Sequence, residues 1–448
     1  MLFNTVTYLV FLPIVFALYW CMRSSERQNA VLLLASMVFY GWWSLPFLGL
    51  MLATCLINYL GVMQMQKTCR RRLWLVCTLL FNFGILGLFK YYNFFADGLS
   101  AFLGLLGMKA DMPTLNVILP VGISFYTFQL SAFAVDCYRS PKTPVPALLP
   151  FLTFITFFPQ LVAGPIERAG NLLRQVECRR NFDGTQATEG MRLLLWGLMK
   201  KMLLADNCAA QVDYIFGHYD TLNVTTLWAG AIYFTFQIYG DFSGYSDMAV
   251  GSARLFGIDI TRNFLRPYFA TSMRDFWRRW HVTLMSWFKD YVYIPLGGNR
   301  RGWLCQHLNI SAVFLLSGLW HGAGWTFVGW GLYHALLYRL PLRRLSLLFV
   351  VLGWVIFRSP DLSSAVGYFA GMFDFRSFGS AACSRIPLLY ISLLMLTEYR
   401  MKDSEHPFRW RSEGILSSQA IRMLVYLTLF VCTVIFGGEK TQFIYFQF

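Results

Sequence analysis

The chain has 448 residues, of which 56% are hydrophobic, 18% aromatic and only 14% charged. Soluble domains carry about 25% charged residues, so this composition excludes an ordinary dissolved globular protein and calls for lipid over much of the surface. The net charge of +15 does not point to nucleic acid, because the basic residues sit in short bridges between apolar runs: Lys67 with Arg70, Arg71 and Arg72; Arg139 with Lys142; Arg343 with Arg344; and Arg400, Lys402, Arg409 and Arg411. That is the distribution of loops held in the cytoplasm by the positive-inside rule, near anionic lipid.

A crossing needs about 20 apolar residues. Residues 4–22 have no preceding Lys or Arg, and Cys21-Met22-Arg23 is a poor cleavage site, so this run reads as a retained first span. Residues 29–43, 45–66 and 73–89 read as three more. The bridges 23–28 and 67–72 are basic and fall on one side, while the turn at Ser44-Leu45-Pro46 is uncharged. The N-terminus is therefore expected outside. Residues 90–106, broken by Asn93 and Asp97 and rich in Tyr and Phe, read as a helix lying in the outer interface. Residues 115–137 return to a basic cytoplasmic turn, and 148–163 cross next.

The middle is more polar. Residues 191–204 carry Lys200 and Lys201, and the apolar run 227–257 contains Asp241, Asp247 and Arg254. Asp247 and Arg254 share one helix face, Gln237 and Asp241 another. Charges at membrane depth cost several kcal/mol and persist where they face a cavity or each other. An interior structural pair and a functional polar path are both compatible with them. Residues 271–287 (TSMRDFWRRWHVTLMSW) form a basic, aromatic, amphipathic stretch expected to lie at the interface or re-enter the bundle. The loop YVYIPLGGNRRG follows at 291–302; with no preceding strand and no Walker lysine, its glycines are not a phosphate fingerprint. Spans resume at 304–319, 326–340 and 345–357, then near 386–396 and at 421–436. The total is eleven to thirteen crossings, with 421–436 running from cytoplasm to outside.

Ten cysteines are scattered without a CxxC pair, and six histidines show no metal-ligand spacing, so no structural metal is expected. Two histidines stand out. His321 lies in the Gly-rich run SGLWHGAGW, and His281 ends the run RRWH. A neutral imidazole tolerates burial better than a carboxylate and can take a proton from a hydroxyl inside a bundle. A hydrogen-bonded core histidine is the competing reading for each.

The stretches YGDFSGYSDM at 239–248, NFLRPYF at 263–269, DFWRRWHVTLMSW at 275–287, YVYIPLGGN at 291–299 and GLWHG at 318–322 together resemble the membrane-bound O-acyltransferase family. The likeness is greatest to its bacterial branch, which serves alginate O-acetylation and teichoic-acid D-alanylation. The resemblance implies an all-α polytopic membrane protein, a ring of about 11–13 tilted transmembrane and re-entrant helices around a central tunnel. His321 would be catalytic at the neck of that tunnel and His281 would stand near it, with Trp320, Arg279, Asp241 and Asp247 as tunnel-lining candidates.

The tail QFIYFQF at 442–448 is similar to the end of the small single-span partner of the D-alanylation system, whose tyrosine is thought to accept the acyl group. Tyr445 is thus an acyl-acceptor candidate; an aromatic interfacial belt is the alternative. The organisation expected is a transmembrane core at 1–417 and a helix with an extracytoplasmic tail at 418–448.

The resemblance implies acetyl transfer from a cytoplasmic thioester, acetyl-CoA, to an extracytoplasmic polysaccharide through a periplasmic SGNH-type acetyltransferase, with no permanently bound cofactor. The expected location is the bacterial inner membrane. Transfer of D-alanine from an acyl-carrier thioester is a second reading. A transporter or flippase is a third, disfavoured because no internal repeat is visible.

Overall fold

A computed structural model describes residues 1–108, 113–115, 118–142, 144–341, 345–401, 404–408 and 418–444. Arg343, Arg344, Lys402, Arg409, Arg411 and Tyr445 lie outside the described residues. The chain forms two compact units, Met1–Phe182 with Ile258–Ile260 and Gly322–Gly324, and Asp183–Gly257 with Thr261–His321 and Trp325–Phe448. Both are helical, and no strand occurs among the described residues.

The first unit contains α1 (Val6–Trp20), α2 (Ser25–Gly41), α3 (Leu45–Lys67), α4 (Arg71–Leu86), α5 (Tyr92–Leu105), α6 (Ile123–Arg139), α7 (Leu148–Thr156), α8 (Phe158–Leu161) and α9 (Arg174–Glu177). Three of the expected spans coincide closely with α1, α2 and α3. Two others differ. Residues 90–106 do not form a separate interfacial helix: a π-helical turn, Gly87–Tyr91, carries α4 directly into α5. The stretch Arg71–Leu105 is then long and apolar enough to cross a membrane. The expected crossing at 148–163 is interrupted instead. The chain leaves helical geometry at Phe157 and restarts with Pro159 in the first turn of α8, where a missing N–H costs nothing. Inside this unit, buried polar groups pair across helices. Asn58 and Asn82 donate to each other's carbonyls at 2.7 and 2.8 Å. Arg180 donates to Tyr19 Oη and Asn29 Oδ1, both at 2.8 Å. In hydrocarbon such groups have no water to turn to.

The second unit contains α10 (Gly184–Met199), α11 (Asp206–Gly217), α12 (Val224–Leu255), α13 (Met273–Arg279), α14 (Val282–Phe288), α15 (Gly302–His321), α16 (Trp325–Leu337), α17 (Ser346–Arg358), α18 (Leu362–Met372), α19 (Ile386–Arg400) and α20 (Gln419–Phe436). Its axis is α12, whose 32 residues extend about 48 Å at the usual helical rise. Glycines let α10 run against it, backbone to backbone. A Cβ on Gly190 would stand 2.6 Å from the Gly251 carbonyl oxygen, and one on Gly197 would stand 2.4 Å from that of Gly244. Both helices repeat the glycine after seven residues, which is the small-residue seam of membrane helix pairs. The hairpin of α15 and α16 repeats the device: a Cβ on Gly318 would lie 2.2 Å from the Phe327 carbonyl oxygen.

On α20, Met423, Leu424, Leu427, Ile435 and Phe436 are all exposed. Together with α3 and the α4–α5 stretch, α20 is long and apolar enough to span a bilayer. A fold made of helices with apolar side chains turned outward is the only open-ended architecture hydrocarbon tolerates.

Candidate active site

The amphipathic run at 271–287 folds as two short helices, α13 and α14, with His281 at the corner. Its φ of +45° is a left-handed conformation that few non-glycine residues adopt. The motif just upstream holds this corner in place. The Leu265 N–H donates to the Arg279 carbonyl at 2.9 Å, and the Val282 N–H to the Asn263 carbonyl at 3.0 Å. The Thr283 hydroxyl donates to Asn263 Oδ1 at 2.5 Å. So NFLRPYF and RRWH act as one piece, with the asparagine of the first fixing the histidine of the second. The glycine loop is tied down too: Gly297 and Gly298 take positive φ, and Asn309 Nδ2 on α15 donates to the Gly298 carbonyl at 2.9 Å.

His321 is the last residue of α15 and is 5% exposed, while His281 is 1% exposed. Their ring centroids lie 6.5 Å apart. Trp320 stands beside both, 5.7 Å from the His281 ring and 5.0 Å from that of His321. Trp330 and Phe357 each approach His321 edge-on at 5.4 Å, and Phe242 of α12 meets His281 at 4.8 Å. Three motifs separated along the chain therefore converge on one aromatic chamber. Arg279, from the same motif as His281, instead binds Asp275 at 2.9 Å on a partly exposed helix face.

A cavity of about 590 Å³ opens beside this chamber. Arg274, Arg278, Lys289 and Arg339 line it, together with Trp277, Phe314 and Tyr338. Trp277 forms part of its wall and lies 5.6 Å from Trp330, which in turn meets His321. Two indoles, Trp277 and Trp330, thus stand between the cationic cavity and the His321 ring.

Asp241 and Asp247 of α12 belong to an ionic seam that spacing along the chain does not reveal. After α10 a π-helical turn, Lys200–Ala205, swings two lysines toward α12. Lys200 pairs with Asp247 at 2.5 Å, and Lys201 bridges Asp241 at 2.7 Å and Asp206 at 2.8 Å. Arg254 does not pair with Asp247 despite sharing its face. It binds Glu405 at 2.6 Å, which also holds Arg262 at 2.7 Å. Burial alone would push the Glu405 carboxyl up, but the bonds and charges of Arg254 and Arg262 outweigh it and hold the group below its ordinary value. Gln237 likewise shares only a face with Asp241, whose ion pair is with Lys201.

The segment after α20 turns inward along this seam. The Gly438 N–H donates to the Met202 carbonyl at 3.0 Å. The Thr441 hydroxyl donates to Asp206 Oδ1 at 2.6 Å, and the Ile444 N–H donates to Asp241 Oδ2 at 2.7 Å. Phe443 packs on Tyr245 at 4.9 Å and on Phe242 at 6.1 Å, the same Phe242 that touches His281.

The structure thus brings together two buried histidines in an aromatic chamber, a cation-lined cavity two rings away and helices long and apolar enough to cross a membrane. The chain belongs to the membrane-bound O-acyltransferase family and is an O-acyltransferase. That family's model matches residues 137–340. The chain is 34% identical to the probable alginate O-acetylase of Pseudomonas putida, over all of both chains. It is 32% identical to the peptidoglycan O-acetyltransferase of Helicobacter pylori, over all of this chain and 98% of the relative. With the teichoic acid D-alanyltransferase of Bacillus subtilis it shares 28% identity over 50% of this chain and 59% of the relative.

Proposed function

We propose that this protein moves an acetyl group from a cytoplasmic thioester across the bacterial inner membrane for O-acetylation of an extracytoplasmic polysaccharide, with Tyr445 as the first acceptor. The observation that carries the reading is the continuity from His321 through His281 and Phe242 to Phe443, two residues before that tyrosine. Acetyl is preferred over D-alanyl because the full-length relatives are named for acetylation, whereas the D-alanyltransferases match about half of the chain.

The cavity suits the donor. Four cations at its wall would attract the phosphates of coenzyme A or of a carrier protein's prosthetic arm, and its aromatic lining would take the apolar acyl arm. With the thioester carbonyl at His321, the neutral imidazole takes the phenolic proton of Tyr445. The phenolate oxygen forms the new C–O bond, the C–S bond breaks, and the departing thiolate takes the proton back from the imidazolium. A phenol has a pKa of about 10, so its proton leaves more readily than an aliphatic alcohol's. The aryl ester remains activated for transfer to a serine of a periplasmic SGNH-type partner. In this reading the core crosses the membrane many times, and helix α20 delivers the tail to the outer face.

The test is donor choice by purified protein in detergent. Radiolabelled acetyl-CoA should label wild-type protein, and a D-alanyl carrier thioester should not. Label from the carrier thioester alone would move the assignment to D-alanyl transfer, and label from neither would remove the enzyme reading of this site.

A further inference from the structure

We propose that Lys201, flanked by Asp206 and Asp241, is a clamp that positions the tail acceptor, so that an ionic cluster remote from the reacting atoms sets the efficiency of acyl transfer. The inference rests on the reading of Tyr445 as acceptor and adds to it the residues that aim the tail.

The geometry is specific to the tail. Each aspartate gives one oxygen to the lysine and also accepts a bond from the segment after α20: Asp206 Oδ1 takes both Lys201 and the Thr441 hydroxyl, and Asp241 takes Lys201 on Oδ1 and the Ile444 N–H on Oδ2. Lys201 itself reaches Thr441 Oγ1 at 3.3 Å. Two carboxylates and one ammonium at this depth are expensive, and hydrophobic residues of similar volume would hold two helices together at least as well. What the cluster supplies, and an apolar core could not, is a fixed register for the short segment that follows the last helix. Ile444 is 1% and Phe443 2% exposed, so the Ile444 N–H bond to Asp241 is sheltered from water and strong for that reason. A slip of one residue would put Ile444 rather than Phe443 against Phe242 and displace everything that follows. Reacting groups misplaced by about 1 Å can lose on the order of a hundredfold in rate.

The test reads position and chemistry separately in the full-length protein. Hydrogen–deuterium exchange of the peptide covering residues 437–448 reports docking, and mass spectrometry of the same peptide after exposure to acetyl-CoA reports acylation. Asp241→Ala should free the tail amides to exchange and cut the acylation rate about tenfold or more with the KM for acetyl-CoA unchanged. Asp241→Asn, which keeps an oxygen for the Ile444 N–H, should recover part of both. Thr441→Val alters only the tail, leaves the helical core intact, and should show the same two effects more weakly. Tail amides that stay protected in Asp241→Ala and Thr441→Val would overturn the clamp. Free exchange with undiminished acylation would overturn its positioning role. Polymer acetylation that persists in Tyr445→Phe, with the exchange results as expected, would instead sink the acceptor reading on which the role depends.

Discussion

Two buried polar regions of the second unit solve the same problem in opposite ways. Around His281 and His321 the contacts are aromatic rings, and an imidazole can sit among them because it is able to shed its charge. Around Lys200 and Lys201 the groups are strongly ionic, and they are tolerated because every charge described there faces an opposite one within 2.8 Å. The difference teaches what each region can do. An imidazole set among aromatic rings can accept and return a proton during a reaction. A fully paired lysine cannot, but it can hold a chain in register.

Substitutions should separate the two regions sharply. The largest effect is expected at His321. His321→Ala should reduce acetyl transfer by about 10²- to 10⁴-fold, the usual contribution of a general base, while the melting temperature in detergent stays near wild type. The reverse pattern, lost stability with retained turnover, would make this histidine a packing residue. Lys201→Met should act mainly on stability, because it leaves two carboxylates facing each other without a cation; about 3–5 kcal/mol is the usual cost of breaking a buried pair. Lys201→Arg should be milder, and thermal unfolding followed by tryptophan fluorescence would rank the two. Gly197→Ala perturbs the same seam without touching a charge. Its Cβ would collide with the Gly244 carbonyl oxygen, at about 1–3 kcal/mol for overpacking. The mildest effect belongs to the cavity. Arg274→Gln with Arg278→Gln should raise the KM for acetyl-CoA roughly tenfold at low salt and less at high salt, since these charges act through screened attraction. An unchanged KM would place the donor elsewhere.

The sequence foretold these regions unequally. Helices α1 to α3 were legible because their apolar runs are long and end at basic or turn residues. The histidine chamber was visible only as motifs; nothing in the spacing of residues 40 apart says that His281 and His321 come within 6.5 Å. The α4–α5 stretch was misread as two elements because Asn93 and Asp97 suggested an interface, whereas a π-helical turn lets the helix continue. The pairing of Asp247 with Arg254 was suggested by their common face, but the glycine seam brings α10 so close that Lys200 reaches Asp247 first. That seam carries its own signal, glycines seven apart at 190 and 197 and again at 244 and 251. The bonds from Thr441 and Ile444 to the aspartates had no local signal, since they join residues more than 200 apart.

In the proposed mechanism His321 loads an acyl group onto the tail. The most direct measurement is mass spectrometry of the peptide carrying Tyr445 after purified protein meets deuterated acetyl-CoA, with His321→Ala alongside. The account predicts a deuterated acetyl group on Tyr445 of the wild type and none in the variant. Acetylation of the tail in both, or of neither while polysaccharide acetylation by the wild type persists, would contradict it.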